Sequence, residues 1–313
     1  MDFLLLILGI GLLYAGGEGL VRGAANLGRR LGLSPMIIGL TIVSMGTSSP
    51  ELAASLVGVF QGAPAVAMGN IIGSNIANLS LVLGITGAIW PLTVAARFIQ
   101  REVPFMLLTS ALVFPLVWDA QVSRLEGGLL LTILVVYLMR LLWRREPEKA
   151  EVSAEFDEAF GDRWRSVGIS LLLVIAGIGL LVAGAQALIQ GAVGLARALG
   201  VGERVIGLTV VAFGTSLPEL ASSVVAAARK EGDIVIGNLI GSNVFNILFI
   251  LGATAAARPI SVVEPVWFDL IVMMLVSLVV WRCFGTGSRL SRAEAVGLVV
   301  GYWAYVLVLF IWH

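Results

Sequence analysis

The sequence predicts an all-α polytopic membrane protein with ten transmembrane helices, arranged as two inverted repeats of five helices each. Of the 313 residues, 58% are hydrophobic and 13% are charged, which is about half the charged fraction of an average soluble domain. Ten apolar stretches are each long enough to cross about 30 Å of hydrocarbon. The second half of the chain also repeats the first half at a constant shift of 168 residues.

The ten predicted spans are separated by charged or turn-forming residues. In chain order they cover residues 3–21, 35–60, 65–90, 103–119, 125–143, 167–189, 203–228, 234–256, 264–284 and 294–312. The first stretch has no Lys or Arg before its apolar run, so we predict a membrane span there rather than a cleavable signal peptide. Polar residues 144–166 predict a solvated linker, with a short helix around 154–160. The linker divides the chain into a first repeat at 1–143 and a second repeat at 167–313.

The internal repeat is clearest between residues 37–84 and 205–252, which match at 23 of 48 positions without a gap. The shift superimposes polar residues in pairs: Glu51 on Glu219, Ser74 on Ser242, and Asn78 on Asn246. Because each half has an odd number of spans, the second half enters the membrane from the opposite side. Inverted repeats of this kind are common in secondary transporters.

The distribution of Lys and Arg predicts the orientation of the chain. If the N-terminus lies outside, sixteen of the 20 basic residues fall on the inner side. Cytoplasmic loops carry such an excess of positive charge. We therefore predict that both termini lie outside and that the 144–166 linker is cytoplasmic. The sequence has no basic patch that would indicate a nucleic-acid partner, and it implies no particular oligomer.

Two predicted spans carry a carboxylate near the middle of the membrane, within the segments SMGTSSPE at 44–51 and AFGTSLPE at 212–219. An ionisable group at that depth costs about 2.5–3.5 kcal/mol even on the lenient insertion scale, so it is a functional candidate by default. Pro50 and Pro218 each remove a backbone donor and are expected to kink the helix one turn before the carboxylate. Such a kink frees backbone carbonyls, and a cation can bind them.

Helical spacing is expected to bring further oxygens to the same faces. Thr47 and Ser48 lie one turn from Glu51, and Thr215 and Ser216 are placed in the same way relative to Glu219. The following spans supply neutral oxygens four residues apart: Ser74 with Asn78, and Ser242 with Asn246. Calcium and sodium prefer oxygen ligands of these kinds.

Packing is an alternative role for the small residues of these segments, because glycines at four-residue intervals also let helices approach closely. A structural role for the two glutamates as buried, protonated or Arg-paired groups is disfavoured, since no Lys or Arg lies in the core of any predicted span. For Glu18, whose repeat counterpart is Gln186, both a gating role and an interfacial position stay open. Glu264 and Asp269 are predicted to be interfacial.

At these residues the sequence resembles the calcium/cation antiporter superfamily, specifically the sodium/calcium exchanger branch and its prokaryotic members. The resemblance implies that Glu51 and Glu219 bind calcium together with backbone oxygens of Thr47 and Thr215. It implies sodium ligands at Ser48, Ser74, Glu51, Ser216, Ser242 and Glu219, backbone oxygens of Ser44 and Ala212, and motif-end polar groups at Asn78 and Asn246. It further implies exchange of three Na+ for one Ca2+, with both ions as substrates and no cofactor. Asparagine at position 246 argues against potassium co-transport, because potassium-dependent members carry an acidic residue there.

Other functions remain to be weighed against this interpretation. Proton/calcium exchange, or exchange of another divalent cation, is the nearest alternative because proton-coupled relatives share the two glutamates. A cation channel is a more remote alternative. An intramembrane protease is disfavoured, since the only histidine is His313 and two intramembrane aspartates are lacking. We expect an integral protein of a prokaryotic inner membrane, in contact with the lipid bilayer.

Overall fold

The computed structural model describes residues 2–143, 166–199, 214–262 and 266–312, and within these ranges the chain is mainly helical. The described helices are α1 (Asp2–Arg30), α2 (Pro35–Thr47), α3 (Ser49–Phe60), α4 (Pro64–Ile89), α5 (Val103–Leu116), α6 (Arg124–Trp143), α7 (Val167–Ala198), α8 (Leu217–Ala228), α9 (Gly232–Ala257), α10 (Trp267–Gly285) and α11 (Arg292–Trp312). Residues 144–165 of the predicted linker and Ala212 lie outside the described ranges.

The predicted class is confirmed, because seven of the described helices are long and apolar enough to cross a membrane: α1, α4, α6, α7, α9, α10 and α11. Helices α2, α3 and α8 are apolar but shorter. The count of ten spans stays a prediction, since part of the seventh span lies outside the described residues.

Helices α1 and α7 both run beyond the predicted ends of the first and sixth spans, whose limits within the membrane stay a prediction. Helix α1 has 29 residues and α7 has 32. Glu18 and Arg22 form an ion pair of 2.5 Å within α1. Glu18 also pairs with Arg229 at the end of α8. Since these charges neutralise one another, the helix continues past them.

Helices α1 and α7 pack antiparallel through glycines. A Cβ atom at Gly16 would lie 2.7 Å from the backbone nitrogen of Leu181, and one at Gly184 would lie 2.8 Å from the backbone nitrogen of Leu13. Such short distances leave no room for a side chain. The two backbones therefore touch along a smooth surface, as small residues allow between membrane helices.

We expect Gly177→Ala to separate α1 from α7, because its Cβ would lie 2.5 Å from the Leu20 nitrogen and 2.8 Å from the Gly16 oxygen. Both contacts are with backbone, so relief needs a helix shift costing about 1–3 kcal/mol. The matched control is Gly179→Ala on the same helix, where no described atom lies within 4 Å of the added methyl group. Thermal unfolding in detergent should show a lower midpoint for Gly177→Ala only. Equal midpoints for the two variants would contradict the packing described.

Glycines also bring α2 close to α9. A Cβ atom at Gly237 would lie 2.8 Å from the Met36 oxygen, and one at Gly241 would lie 2.2 Å from Ser44 Oγ. The predicted close contact is therefore present at these two positions. Around Gly69 and Gly73 no described atom lies within 4 Å of an added Cβ. The predicted close contact at these two glycines therefore stays untested within the described residues.

Short antiparallel strands join the two halves, and the sequence reasoning did not anticipate them. Strand β1 (Leu92–Thr93) pairs with β4 (Arg289–Leu290), and β2 (Gln121–Val122) pairs with β3 (Ile260–Ser261). The pairing follows the inverted repeat, since the shift of 168 places β1 on β3 and β2 on β4. Equivalent capping boxes then start α6 and α11: Ser123 with Glu126, and Ser291 with Glu294.

Candidate cation site

The two site carboxylates stand at breaks in the membrane helices. Ser48, with φ −82° and ψ 4°, ends α2, and α3 then starts with Pro50 in its first turn. Ser216, with φ −88° and ψ 4°, precedes α8 in the same way, with Pro218 in its first turn. The breaks lie where the prolines predict a kink. Glu51 and Glu219 consequently occupy first turns of helices, where the backbone dipole favours negative charge.

The repeat brings the two carboxyl groups together in the interior. Glu51 is 1% exposed and Glu219 is fully buried, and the two groups are close enough to interact electrostatically. Ser48 Oγ donates a hydrogen bond of 3.3 Å to Glu219 Oε1. Both carboxyl oxygens of Glu51 and Oε2 of Glu219 have no hydrogen-bond partner among the described residues. Buried acceptors without partners are costly unless a cation or a proton satisfies them.

The neutral oxygens come from α4 and α9, which are almost completely buried along this stretch. Ser74 is 4% exposed, while Asn78, Ser242 and Asn246 are buried to within 1%. A π-helical segment starts at each asparagine, covering Asn78–Val82 in α4 and Asn246–Leu251 in α9. Such π-turns occur often at functional sites, but the helical periodicity used in the sequence analysis does not reveal them.

Asparagine side chains cross between the repeats. Asn78 Nδ2 donates to Asn243 Oδ1 at 3.2 Å, and Asn246 Nδ2 donates to Asn75 Oδ1 at 3.1 Å. These bonds fix the orientation of the two amide groups. Oδ1 of Asn78 and Oδ1 of Asn246 have no hydrogen-bond partner within the described part of the chain. Asn75 and Asn243 were not singled out as site residues from the sequence. The same residue type occurs at these two equivalent positions of the repeats, and this recurrence is the sequence signal that could have identified them.

The hydroxyl groups of α2 contact α9. Thr47 Oγ1 lies 3.5 Å from Ser242 Oγ and donates to Asn238 Oδ1 at 3.2 Å. Ser44 Oγ donates to the carbonyl oxygens of Gly39 at 2.6 Å and Asn238 at 2.9 Å. The Ser44 hydroxyl thus links α2 to α9 by a hydrogen bond. The expected role of the Ser44 backbone oxygen as a sodium ligand stays a prediction. Thr215 is half-buried in the turn before α8, and Ala212 lies outside the described residues.

The cluster contains more acceptors than donors, which suits a cation. Its buried oxygens without a hydrogen-bond partner among the described residues are Glu51 Oε1 and Oε2, Glu219 Oε2, Asn78 Oδ1, Asn246 Oδ1 and Ser216 Oγ. No group of three or more His, Cys, Asp or Glu side chains with metal-site geometry occurs in the described ranges. The site therefore offers two carboxylates and several neutral oxygens, a ligand set for calcium or sodium rather than for zinc.

Comparison with known proteins gives matches over nearly the whole chain. The sodium/calcium exchanger protein family matches residues 1–143 and 169–311. The sodium/calcium exchanger MaX1 of Methanosarcina acetivorans is 33% identical, with 99% of each chain covered. The inner membrane protein YrbG of Escherichia coli is 34% identical, with 96% of each chain covered. The solved structure of the sodium-calcium exchanger NCX_Mj soaked with Na+ and Ca2+ has a TM-score of 0.82 and 31% identity, covering 98% of this chain and 97% of that one.

Proposed function

The chain belongs to the sodium/calcium exchanger protein family, and we propose that it exchanges Na+ for Ca2+ through the site at Glu51 and Glu219. Membership makes it an integral membrane cation antiporter and not an enzyme. The transported ions are substrates that bind at the site, so no cofactor is needed. The ligand assignment, the coupling ion and the stoichiometry are the parts of the function that we propose.

The observation that carries this proposal is the set of unpaired oxygens around the two glutamates. The hydrocarbon interior of a bilayer has no water that could donate hydrogen bonds to these oxygens. One divalent cation neutralises both carboxylates and accepts the remaining oxygens as ligands. Monovalent ions that use the same carboxylates cannot stay bound beside it, because like charges at such short distances repel strongly at low dielectric. Competition for Glu51 and Glu219 therefore couples the two fluxes.

The proposed stoichiometry is three Na+ for one Ca2+, so that each cycle moves one net positive charge. Transport should then respond to membrane potential, at about 2.3 kcal/mol per charge per 100 mV. We propose that potassium is not transported, since Asn246 adds no negative charge to the two carboxylates. The neutral asparagines Asn78 and Asn246 are both held by amide donation to the opposite repeat, which supports a role as neutral ligands.

We propose alternating access in which α1 and α7 slide across the fixed site. Their glycine-lined contact supports this, because two helices whose backbones touch along their length can move together as one unit. Residues 1–143 and 167–313 would act as two transport repeats joined by the 144–166 linker. Each repeat contributes one helix to the moving pair. We further propose a prokaryotic inner membrane location, with the termini outside and the linker cytoplasmic, as the arginine distribution predicts.

Isotope flux in reconstituted vesicles tests the coupling. We expect an outward Na+ gradient to drive Ca2+ uptake, and an inside-negative potential to slow the uptake because the cycle would move three positive charges out for two in. A K+ gradient or a pH gradient alone should drive no uptake. Uptake that follows the pH gradient and ignores Na+ would instead establish proton/calcium exchange, and Ca2+ flux without any counter-ion would indicate a channel. Either result would overturn the proposal.

A further inference from the structure

A two-point ion pair joins α1 to the end of α8. Arg229 Nε donates to Glu18 Oε2 at 3.2 Å, and Nη2 of the same guanidinium group donates to Glu18 Oε1. The side chains of Arg229 and Glu18 are 18% and 21% exposed, so salt and water screen the pair only partly. Contacts of this bidentate kind are among the stronger ion pairs in proteins. The pair therefore connects a helix that we propose to move with a helix that carries a site glutamate.

The charges of this pair are not repeated in the sequence. The shift of 168 places Glu18 on Gln186 and Arg229 on Gln61, and both glutamines are exposed. Two neutral amides cannot form a charge-assisted contact. The place between α7 and α3 that is equivalent to the ion pair therefore has no charges with which to form one.

The two halves also differ in packing at these equivalent places. Helix α1 packs closely on α8, whereas α7 has little contact with α3 among the described residues. Val225 of α8 lies beside α1, where a Cβ atom at Gly17 would be 3.2 Å from Val225 Cγ2, and it is 4% exposed. Its equivalent in α3, Val57, is 51% exposed. The structure is thus closed between α1 and α8 and open between α7 and α3.

We propose that the Glu18–Arg229 pair is a latch that stabilises the state closed between α1 and α8. In a transporter with inverted repeats, the second access state arises when the two halves exchange conformations. That exchange would break the latch without forming a replacement, and an interaction present in only one of two states shifts their populations. The latch therefore favours closure of the side that we predict to be cytoplasmic. This proposal rests on the alternating access proposed above, but not on the identity of the coupling ion.

Labelling of single thiols measures the two ends separately. Cys283→Ser removes the only cysteine of the sequence, and either Val225→Cys or Val57→Cys then introduces one thiol. With the latch intact, a water-soluble maleimide should label position 57 faster than position 225. Adding Glu18→Gln should raise the rate at position 225 by about fivefold, a typical coupling for charges in contact, and should lower the rate at position 57.

The two rates together distinguish a shift between states from local damage. A faster rate at position 225 without a slower rate at position 57 would indicate that only the end of α8 has loosened. Unchanged rates at both positions would indicate an ion pair that does not influence the access state. Either result would overturn the proposal.

Two further variants test whether the effect belongs to the pair. Arg22→Gln removes the other partner of Glu18, but both of those charges lie on α1, so their contact persists in either state. This control should leave both labelling rates near those of the latched protein. Glu18→Gln combined with Arg229→Gln should change the rates no more than either single variant, because the pair can be lost only once. Additive effects of the two substitutions would contradict the latch.

A transplanted latch gives the opposite expectation. Gln186→Glu with Gln61→Arg places the two charges at the equivalent positions, which are exposed in this structure, so the variant should fold normally. The added pair should stabilise the other state, slowing the labelling of position 57 and accelerating that of position 225. Unchanged rates would overturn the proposal. The labelling needs no ion gradient and isotope flux tests exchange separately, so normal exchange with unchanged labelling would remove the latch alone.

Discussion

Replacing either site carboxylate by its amide should abolish exchange. Glu51→Gln and Glu219→Gln keep the size of the side chain, but each removes one of the two negative charges that neutralise Ca2+. Losing one partner of a buried charge costs about 3–5 kcal/mol. That loss corresponds to a more than 100-fold weaker Kd, since each 1.4 kcal/mol is about tenfold. Na+-gradient-driven 45Ca2+ uptake into vesicles should therefore fall to the level of empty vesicles.

The matched control is Glu126→Gln, which changes a carboxylate in the capping box of α6, outside the site. It should cost some stability but leave uptake near that of the unmodified protein. Size-exclusion profiles of the three variants establish that they fold. If Glu51→Gln and Glu219→Gln proteins fold and still take up Ca2+ in response to Na+, the proposed site is wrong.

The two glutamates could be brought together from the sequence because the repeat is strong and the membrane restricts the alternatives. An odd number of spans per half forces inversion, and inversion puts equivalent residues at equal distances on opposite sides of the membrane midplane, so equivalent residues near the midplane come to the same depth. Buried carboxylates in a bilayer need a partner, so Glu51 and Glu219 were the natural pair. The prolines at 50 and 218 also gave the positions of the helix breaks, because a missing N–H is a local property of the residue.

Features that depend on contacts between helices could not be read from the sequence. The pairing of Glu18 with Arg229, which lies 211 residues away, is invisible to a local hydropathy pattern. The π-helical segments at Asn78 and Asn246 left no periodic signal either. Asn238 likewise has no local signal in the sequence, because its hydrogen bond with Thr47 depends on the packing of α2 against α9.

Asn238→Leu should disturb the cation site without removing any proposed ligand. Its Oδ1 accepts from Thr47 Oγ1 at 3.2 Å, and its Nδ2 donates to Ser222 Oγ at 3.2 Å and Ser223 Oγ at 3.3 Å. Leucine has a similar size but offers neither group, so each of these buried hydroxyls loses one hydrogen-bond partner, at a total cost of about 1–3 kcal/mol. We expect a lower thermal midpoint and, because Thr47 is released next to Ser242, a Ca2+ affinity at least tenfold weaker.

A triple variant separates these two effects. Adding Ser222→Ala and Ser223→Ala to Asn238→Leu removes two of the hydroxyls that were left without the amide, so much of the lost stability should return. Thr47 Oγ1 still lacks the Asn238 oxygen and keeps only the Ser44 carbonyl oxygen of its own helix, at 3.3 Å, so Ca2+ affinity measured by isotope binding should stay weak. Recovery of affinity together with stability would show that Asn238 only supports packing between α8 and α9. Because Ser222 Oγ also donates to the Glu219 carbonyl oxygen at 3.1 Å, the control is the Ser222→Ala, Ser223→Ala double variant. Persistent weak binding in a restored fold, with normal binding by that control, would identify Asn238 as the residue that orients Thr47 toward the cation, with its effect passing from one repeat to the other.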